Sequence, residues 1–495
     1  MRKVLLILGI VLTLNAQNAQ YQNFKVTWIE PGSNAVLPAL DEFESNLGML
    51  GVLNASGAVN TEGHPFFTAL GTNGRACVNC HQPAWGMSLS TASLLDRWRA
   101  TGGKDPVFAA FDGSNCPGLP QSQESSHSLL LKRGLFRIPL PWPPQTADGS
   151  AKPVELTIEV VRDPTGCNTS PEYGLKSAQP TISVYRRPRP AANLKYVVSG
   201  GQPIVLKTGM LADVDPETGK PVGMNLMTDA REASLKTQAL SAIMGHEQAK
   251  SAPSRQQIDR IVDFESQVYV AQVSHVFGGP LVIPEGPASL GPAALRDRRP
   301  GVLGDNDYDP VFGLFTSWKK GDYYHSSVAR GADIFMYRQF WLRDTAHINS
   351  IGLGNPIKRT CATCHNAQMT GQDLSAGWVD VGTTNYPTWT EPGTWAESSE
   401  LPVFKITCSR DADPHPYLGR VIYTTDPGRA LISGRCVDVG SIVMQQLRGL
   451  SARAPYFANG SAKTLREVVD FYDRRFDMKL TDDEKEDLVN FLGVL

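Results

Sequence analysis

At 495 residues and a formal net charge of -2, with 41% hydrophobic and 19% charged side chains, the chain has the make-up of an ordinary globular protein of two to three domains. That balance argues against nucleic acid or an anionic membrane surface as a partner held by charge, and no apolar run is long enough for a membrane span. The 45 Gly and 35 Pro predict a loop-rich fold.

Residues 1–19 read as an export signal: Arg2 and Lys3, an apolar run over 4–14, then Ala16 and Ala19 as small residues for cleavage. The mature chain is therefore expected in the periplasm, and with no cysteine before Cys77 no lipid anchor is expected at its start. Residues 20–76 end in Gly71-Thr72-Asn73-Gly74, a turn that presents Cys77-Val78-Asn79-Cys80-His81. Two thiols three positions apart, with a histidine directly after the second, form the attachment pattern of a c-type haem. The thiols add to the two vinyl groups of the porphyrin, and the histidine lies under the iron as its proximal ligand. A zinc knuckle or a thiol redox pair is the alternative for a lone Cys-x-x-Cys. Here the whole pattern recurs as Cys361-Ala362-Thr363-Cys364-His365, so the expectation is two covalently bound haem c groups.

Helical spacing follows the first motif over 89–98. From about 101 to 225 the chain is Pro- and Gly-rich, with strand-like runs at 135–140, 154–161 and 181–185. This reads as a β-containing, loop-rich insertion, either a surface lobe or a region for docking and access. Helical patterns return at 230–245 and at 254–273. In the second, Ile258, Ile261, Val262 and Val268 share a face and Ser254 supplies the N-cap. A Pro/Gly-rich linker at 276–325 separates the halves. A helix at 327–342 then leads to the second motif, and Thr481-Asp482-Asp483-Glu484 is a capping box for a last helix with Leu488, Phe491 and Leu492 inward. The expected fold is mainly α, with cytochrome c-type helical haem domains over 20–275 and 326–495, the first carrying the insertion.

Four of the eight cysteines lie outside the motifs: Cys116, Cys167, Cys408 and Cys436. An even remainder in an oxidising compartment reads as two disulfides. Four cysteines allow three pairings, of which sequence proximity favours Cys116–Cys167 and Cys408–Cys436.

Two further stretches stand out. Residues 229–239 read Asp-Ala-Arg-Glu-Ala-Ser-Leu-Lys-Thr-Gln-Ala, and 447–457 read Leu-Arg-Gly-Leu-Ser-Ala-Arg-Ala-Pro-Tyr-Phe, continuing through Leu465 to Val468-Val469-Asp470-Phe471-Tyr472. Together with the paired motifs these resemble the bacterial di-haem cytochrome c peroxidase family, which includes MauG-like enzymes. The resemblance covers the haem cores and leaves out the insertion and the linker. It implies that the His81 haem activates hydrogen peroxide at a vacant or vacatable sixth position. It implies that the His365 haem is six-coordinate and passes on electrons from a small periplasmic donor, a cytochrome c or a cupredoxin. Gln238 matches the family's distal glutamine. The family's catalytic glutamate falls at Gln248, beside Glu247 and His246. On a continuous helix His246 would lie nearer the Gln238 face, which ranks it above Glu247 as proton handler, an exposed or capping histidine being the plain alternative. Tyr472 falls at the sixth-ligand position of the His365 haem, as in MauG-like enzymes, with Met444 and Met478 as alternatives.

The departures are informative. Thr228 stands where the family has a tryptophan between the haems, and Ala458 where a histidine commonly follows Pro-Tyr-Phe. Arg453 occupies the place of a calcium-ligating threonine, which puts the family's inter-haem calcium in doubt and offers a positive charge instead. The leading expectation is a di-haem peroxidase. The alternative, favoured by Thr228 and Tyr472, is a MauG-like oxidase using high-valent haem iron on a protein or organic substrate. A pure electron-transfer cytochrome is the third.

Overall fold

The computed structural model describes residues 28–146, 148–199, 204–205, 211–212, 226–297, 314–346, 356–365, 378–386 and 399–495. The expected export signal lies outside these. The expectation of a mainly α protein is overturned: 32% of the chain is helix and 20% strand, the strands gathered in several antiparallel sheets. The partners that make these sheets lie far apart in the chain, so a reading of local periodicity does not bring them together.

The first four-stranded sheet has the order Gly279–Pro280, Val268–His275, Gly48–Asn54, Leu40–Ser45. Its outer strand carries Asp41, Glu42 and Glu44, charges suited to an exposed edge. The helical pattern expected over 254–273 divides here. Ser254 caps a helix, Arg255–Glu265, but Val268–His275 is strand and pairs with Gly48–Asn54 from Val268↔Asn54 to His275↔Gly48. Val268, Tyr269, Val270 and Val273 are β-branched or aromatic. With a buried partner strand alongside, that preference outweighs the helical spacing of Val268 with Val262.

The second four-stranded sheet has the order Asn385–Tyr386, Val421–Thr424, Val403–Cys408, Leu156–Arg162. Its last strand comes from the Pro/Gly-rich stretch 101–225, and Ile158 lies opposite Ile406. The hairpin-like pair Phe136–Pro141 and Thr181–Arg186 shares its core, with Leu140, Ile182 and Val184 packed among Phe404, Ile406 and Ile422. Fully burying side chains of this size is worth about 1.5–3 kcal/mol each. The two disulfides form as expected, Cys116–Cys167 and Cys408–Cys436, with Cα atoms 5.3 and 5.7 Å apart.

Helices supply the walls behind the two motifs. Leu235–Gly245 and Arg255–Glu265 pack with Phe66, Phe67 and Phe264 beside the first. Beside the second, Tyr323–Tyr337 crosses the terminal helix Asp482–Gly493, whose capping box of Thr481 and Glu484 is reciprocal. The crossing is close at Gly331, where a Cβ would come 1.9 Å from the Asp487 carbonyl oxygen. The Asp487 carboxylate accepts from Ser327 at 2.6 Å and from Arg330 at 2.7 and 2.8 Å, tying the two helices together. The short strand Phe340–Leu342 follows where the sequence pattern continued the first of these helices. Among the described residues no helix is long and apolar enough to cross a membrane.

Candidate functional site

Each Cys-x-x-Cys-His borders its own cavity. At the first, the turn Cys77–Asn79 is held by Asn79, whose side chain accepts from the Ala76 N–H at 2.8 Å and donates to Asp105 at 3.2 Å. The turn Pro83–Trp85 then brings the chain back through Gly86 to Met87, which has φ 57. That conformation aims the Met87 carbonyl at His81 Nδ1, 3.0 Å away. With its Nδ1–H donated to a carbonyl, the imidazole offers the Nε2 lone pair, the form a metal requires. Burial keeps the ring neutral and lowers its pKa to about 4, although the Met87 bond pulls the other way.

The cavity beside His81 encloses about 1010 Å³ counted to its open mouth, and Gln238, His246 and Thr228 line it together with Cys80. Gln238 projects from Leu235–Gly245, whose start is capped by Ser234 accepting from the Thr237 N–H. His246 is the residue that ends that helix. Its Nδ1 lies 2.5 Å from Asp112 Oδ2, and Asp112 is ion-paired on its other oxygen with Arg75. Arg75 and Asp112 are both buried, and the guanidinium is further held by the carbonyls of Pro106 and Val107 at 3.1 and 2.8 Å. Burial alone would raise the Asp112 carboxyl, but Arg75 and His246 outweigh it and hold the pKa below the usual range. Asp112 therefore stays anionic, fixes the imidazole's orientation and leaves Nε2 for the cavity.

Glu247 points elsewhere. Its carboxylate accepts from the Leu70 N–H at 3.0 Å and lies 3.5 Å from Cys77 Sγ, and it does not line the cavity that Gln238 and His246 share. Burial pushes its pKa up to about 7, against the pull of the bonds from Leu70 and Cys77. The loop 246–248 docks on the turn before the motif: the Thr72 N–H donates to the Glu247 carbonyl at 3.0 Å. Gly71 makes this approach possible, since a Cβ there would meet the Glu247 carbonyl oxygen at 1.7 Å.

At the second motif, Cys361–Cys364 forms a single helical turn and the His365 N–H donates to the Cys361 carbonyl at 2.9 Å. The adjoining cavity encloses about 1710 Å³ to its mouth. Tyr472, Met444 and Met478 all line it with His365, so all three sixth-ligand candidates share one space. Tyr472 lies on the helix Leu465–Phe476 among Phe457, Phe471 and Phe476. Burial first, then the nearby thiols of Cys361 and Cys364, push its phenol well above the ordinary value. None of the four motif cysteines is in a disulfide.

The two cavities share a wall. Arg187, Pro188 and Gln446 border both. Thr228 lines the first and its carbonyl accepts from the N–H of Val443, which lines the second, at 2.8 Å. Arg189 spans the same seam, donating to Met227 at 3.0 Å and to Met444 at 3.1 Å. The neighbouring Arg186 is neutralised by Asp426 and Asp229 at 2.5–2.9 Å.

Both sites fit a covalently attached haem: Cys80 and His81 border the first cavity, Cys361, Cys364 and His365 border the second, and at His81 the tautomer suits iron. Sequence reasoning named the motifs, Gln238, His246 and Tyr472, and passed over Asp112, Arg75, Arg187 and Arg189. No local pattern around Asp112 signals its role, which comes from contacts with residues 37 and 134 positions away.

No protein-family model matches the chain, and no curated protein matches it. Among solved structures it is similar to a MauG-like protein associated with microbial copper homeostasis, at 16% identity and a TM-score of 0.29, over 62% of this chain and 80% of that one. It is also similar to a hydrazine synthase of Kuenenia stuttgartiensis, at 14% identity and a TM-score of 0.29, over 63% of this chain and 73% of that one.

Proposed function

We propose that the protein is a periplasmic di-haem c-type oxidoreductase that reduces hydrogen peroxide at the His81 site, with electrons from a small cytochrome c or cupredoxin entering through the His365 site. The observation that carries this reading is the union of Gln238 and the Asp112-oriented His246 with His81 around one cavity, next to a second cavity built on the same motif. Bound haem would supply a redox-active iron with a position open to peroxide and a path for electrons.

The chain's own residues supply the rest. His81, its Nδ1–H fixed on the Met87 carbonyl, would hold the iron through Nε2. The Gln238 carboxamide orients peroxide by donating to one oxygen. His246 Nε2 would take a proton from one peroxide oxygen and deliver it to the other, with the imidazolium stabilised by Asp112. The His246 side chain is 32% exposed, so it can reload from solvent. Reduction of one peroxide consumes two electrons and two protons and yields two waters.

The second reading, a MauG-like oxidase of a protein or organic substrate, draws on Tyr472 in the His365 cavity, because a phenolate ligand stabilises oxidised iron. Turnover of peroxide with a reduced small cytochrome tests the first reading. Steady consumption of cytochrome supports it. Absence of turnover, with peroxide still changing the haem spectrum, favours the second.

A further inference from the structure

Among the described residues, two cations that line the His365 cavity lack a carboxylate partner, and one of them, Arg187, also borders the first cavity. Arg187 spends its guanidinium on carbonyls: Arg133 at 3.2 Å, Leu89 at 2.8 Å and Arg453 at 2.8 Å. Arg453, 7% exposed, likewise donates to the carbonyls of Arg448 and Gln446. Carbonyl dipoles solvate a guanidinium but leave its charge in place. Among the described residues neither side chain forms an ion pair with a carboxylate, in contrast to Arg75 and Arg186 nearby, which do. Burial, and for Arg187 the neighbouring Arg453, lower their pKa values to about 9 and about 10. Adjacent buried like charges of this kind call for an anion. Arg187 borders both cavities and Arg453 borders the one beside His365. The anion must therefore enter with whatever fills them, and each haem carries two propionate carboxylates, groups that a guanidinium binds through paired hydrogen bonds.

Resting on the di-haem reading above, we propose that Arg187, in the shared wall, and Arg453 beside it form a carboxylate clamp, Arg187 taking a propionate from each haem and Arg453 a propionate of the His365 haem. One guanidinium then sits beside both prosthetic groups and ties their reduction potentials to the same charge. Positive charge near a haem favours the reduced iron, so removing it lowers the potential.

The test is a spectroscopic redox titration of the haem-loaded full chain, with the haem-to-protein ratio measured first as the pyridine haemochrome. A wild-type ratio of zero overturns the di-haem reading and this inference with it. With two haems present, Arg187→Gln is expected to lower both midpoint potentials. Arg453→Gln should lower that of the His365 haem more than the other, and Arg187→Lys, which keeps the charge, should stay nearer wild type. Potentials that do not move in Arg187→Gln, or only one that moves, overturn the clamp while leaving the di-haem reading intact. Should Arg187→Gln fail to accumulate, a structure of the haem-loaded wild type decides: propionates of both haems on Arg187 support the clamp, and propionates turned away from it overturn it.

Discussion

The cavities beside His81 and His365 begin from the same five-residue pattern and diverge in their walls. The first gathers groups that can hold or move a proton: Gln238, and His246 backed by Asp112 and Arg75. The second is lined mostly by apolar side chains, with Tyr472, Met444 and Met478 as the sixth-ligand candidates. A c-type motif thus fixes where a haem attaches, while the opposite wall decides whether its iron meets a substrate or only electrons. On this account the division of labour lies in residues far from either motif.

The comparison breaks at its root if either motif fails to hold haem. Cys80→Ala and Cys364→Ala are each expected to lower the pyridine haemochrome ratio below the wild-type two per chain. An unchanged ratio, or zinc in the wild-type protein by metal analysis, rules out the reading. A sharper cut removes the polar wall of the first cavity alone. Gln238→Leu should slow peroxide reduction by ~10²–10⁴ with both haems attached, as loss of a positioned group in proton transfer does. Unchanged stopped-flow kinetics would remove Gln238 from the site. In the second cavity, Tyr472→Phe should alter the low-spin ferric spectrum and raise that haem's potential; if the spectrum is untouched, Met444 or Met478 is the better ligand.

The smallest expected effect concerns Glu247, which lies at the first motif yet outside its cavity. Its folded pKa, about 7, is above that of an unfolded glutamate. Between pH 4.5 and 7 the folded chain therefore binds more protons at this site than the unfolded chain, and stability falls as pH rises through that window. The cost at neutral pH is on the order of 3 kcal/mol. Comparing denaturation of wild type with Glu247→Gln across pH 5 to 8 isolates it: the variant should lose this component, and parallel curves would show that Glu247 is not held protonated.

What the sequence made legible was local. The two Cys-x-x-Cys-His motifs, the disulfide pairs, the strands near 135–140, 154–161 and 181–185, and the Thr481–Glu484 cap each depend on neighbours within a few dozen positions. The mainly α expectation failed because Val268–His275 finds its partner in Gly48–Asn54, more than 200 positions away, and Leu156–Arg162 finds its own in Val403–Cys408. Asp112 was missed for the same reason, since only the fold brings it to His246. Arg453 was noticed as a departure from a family pattern, but only the fold brings it to Arg187, which borders both cavities.

The most direct test of the division between the two sites is the ferric electron-resonance and optical spectrum of the purified two-haem protein, before and after one equivalent of hydrogen peroxide. The account predicts one low-spin haem and one high-spin or readily converted haem, with peroxide changing the latter signal. Two permanently low-spin haems that ignore peroxide would contradict it and leave a protein that only carries electrons.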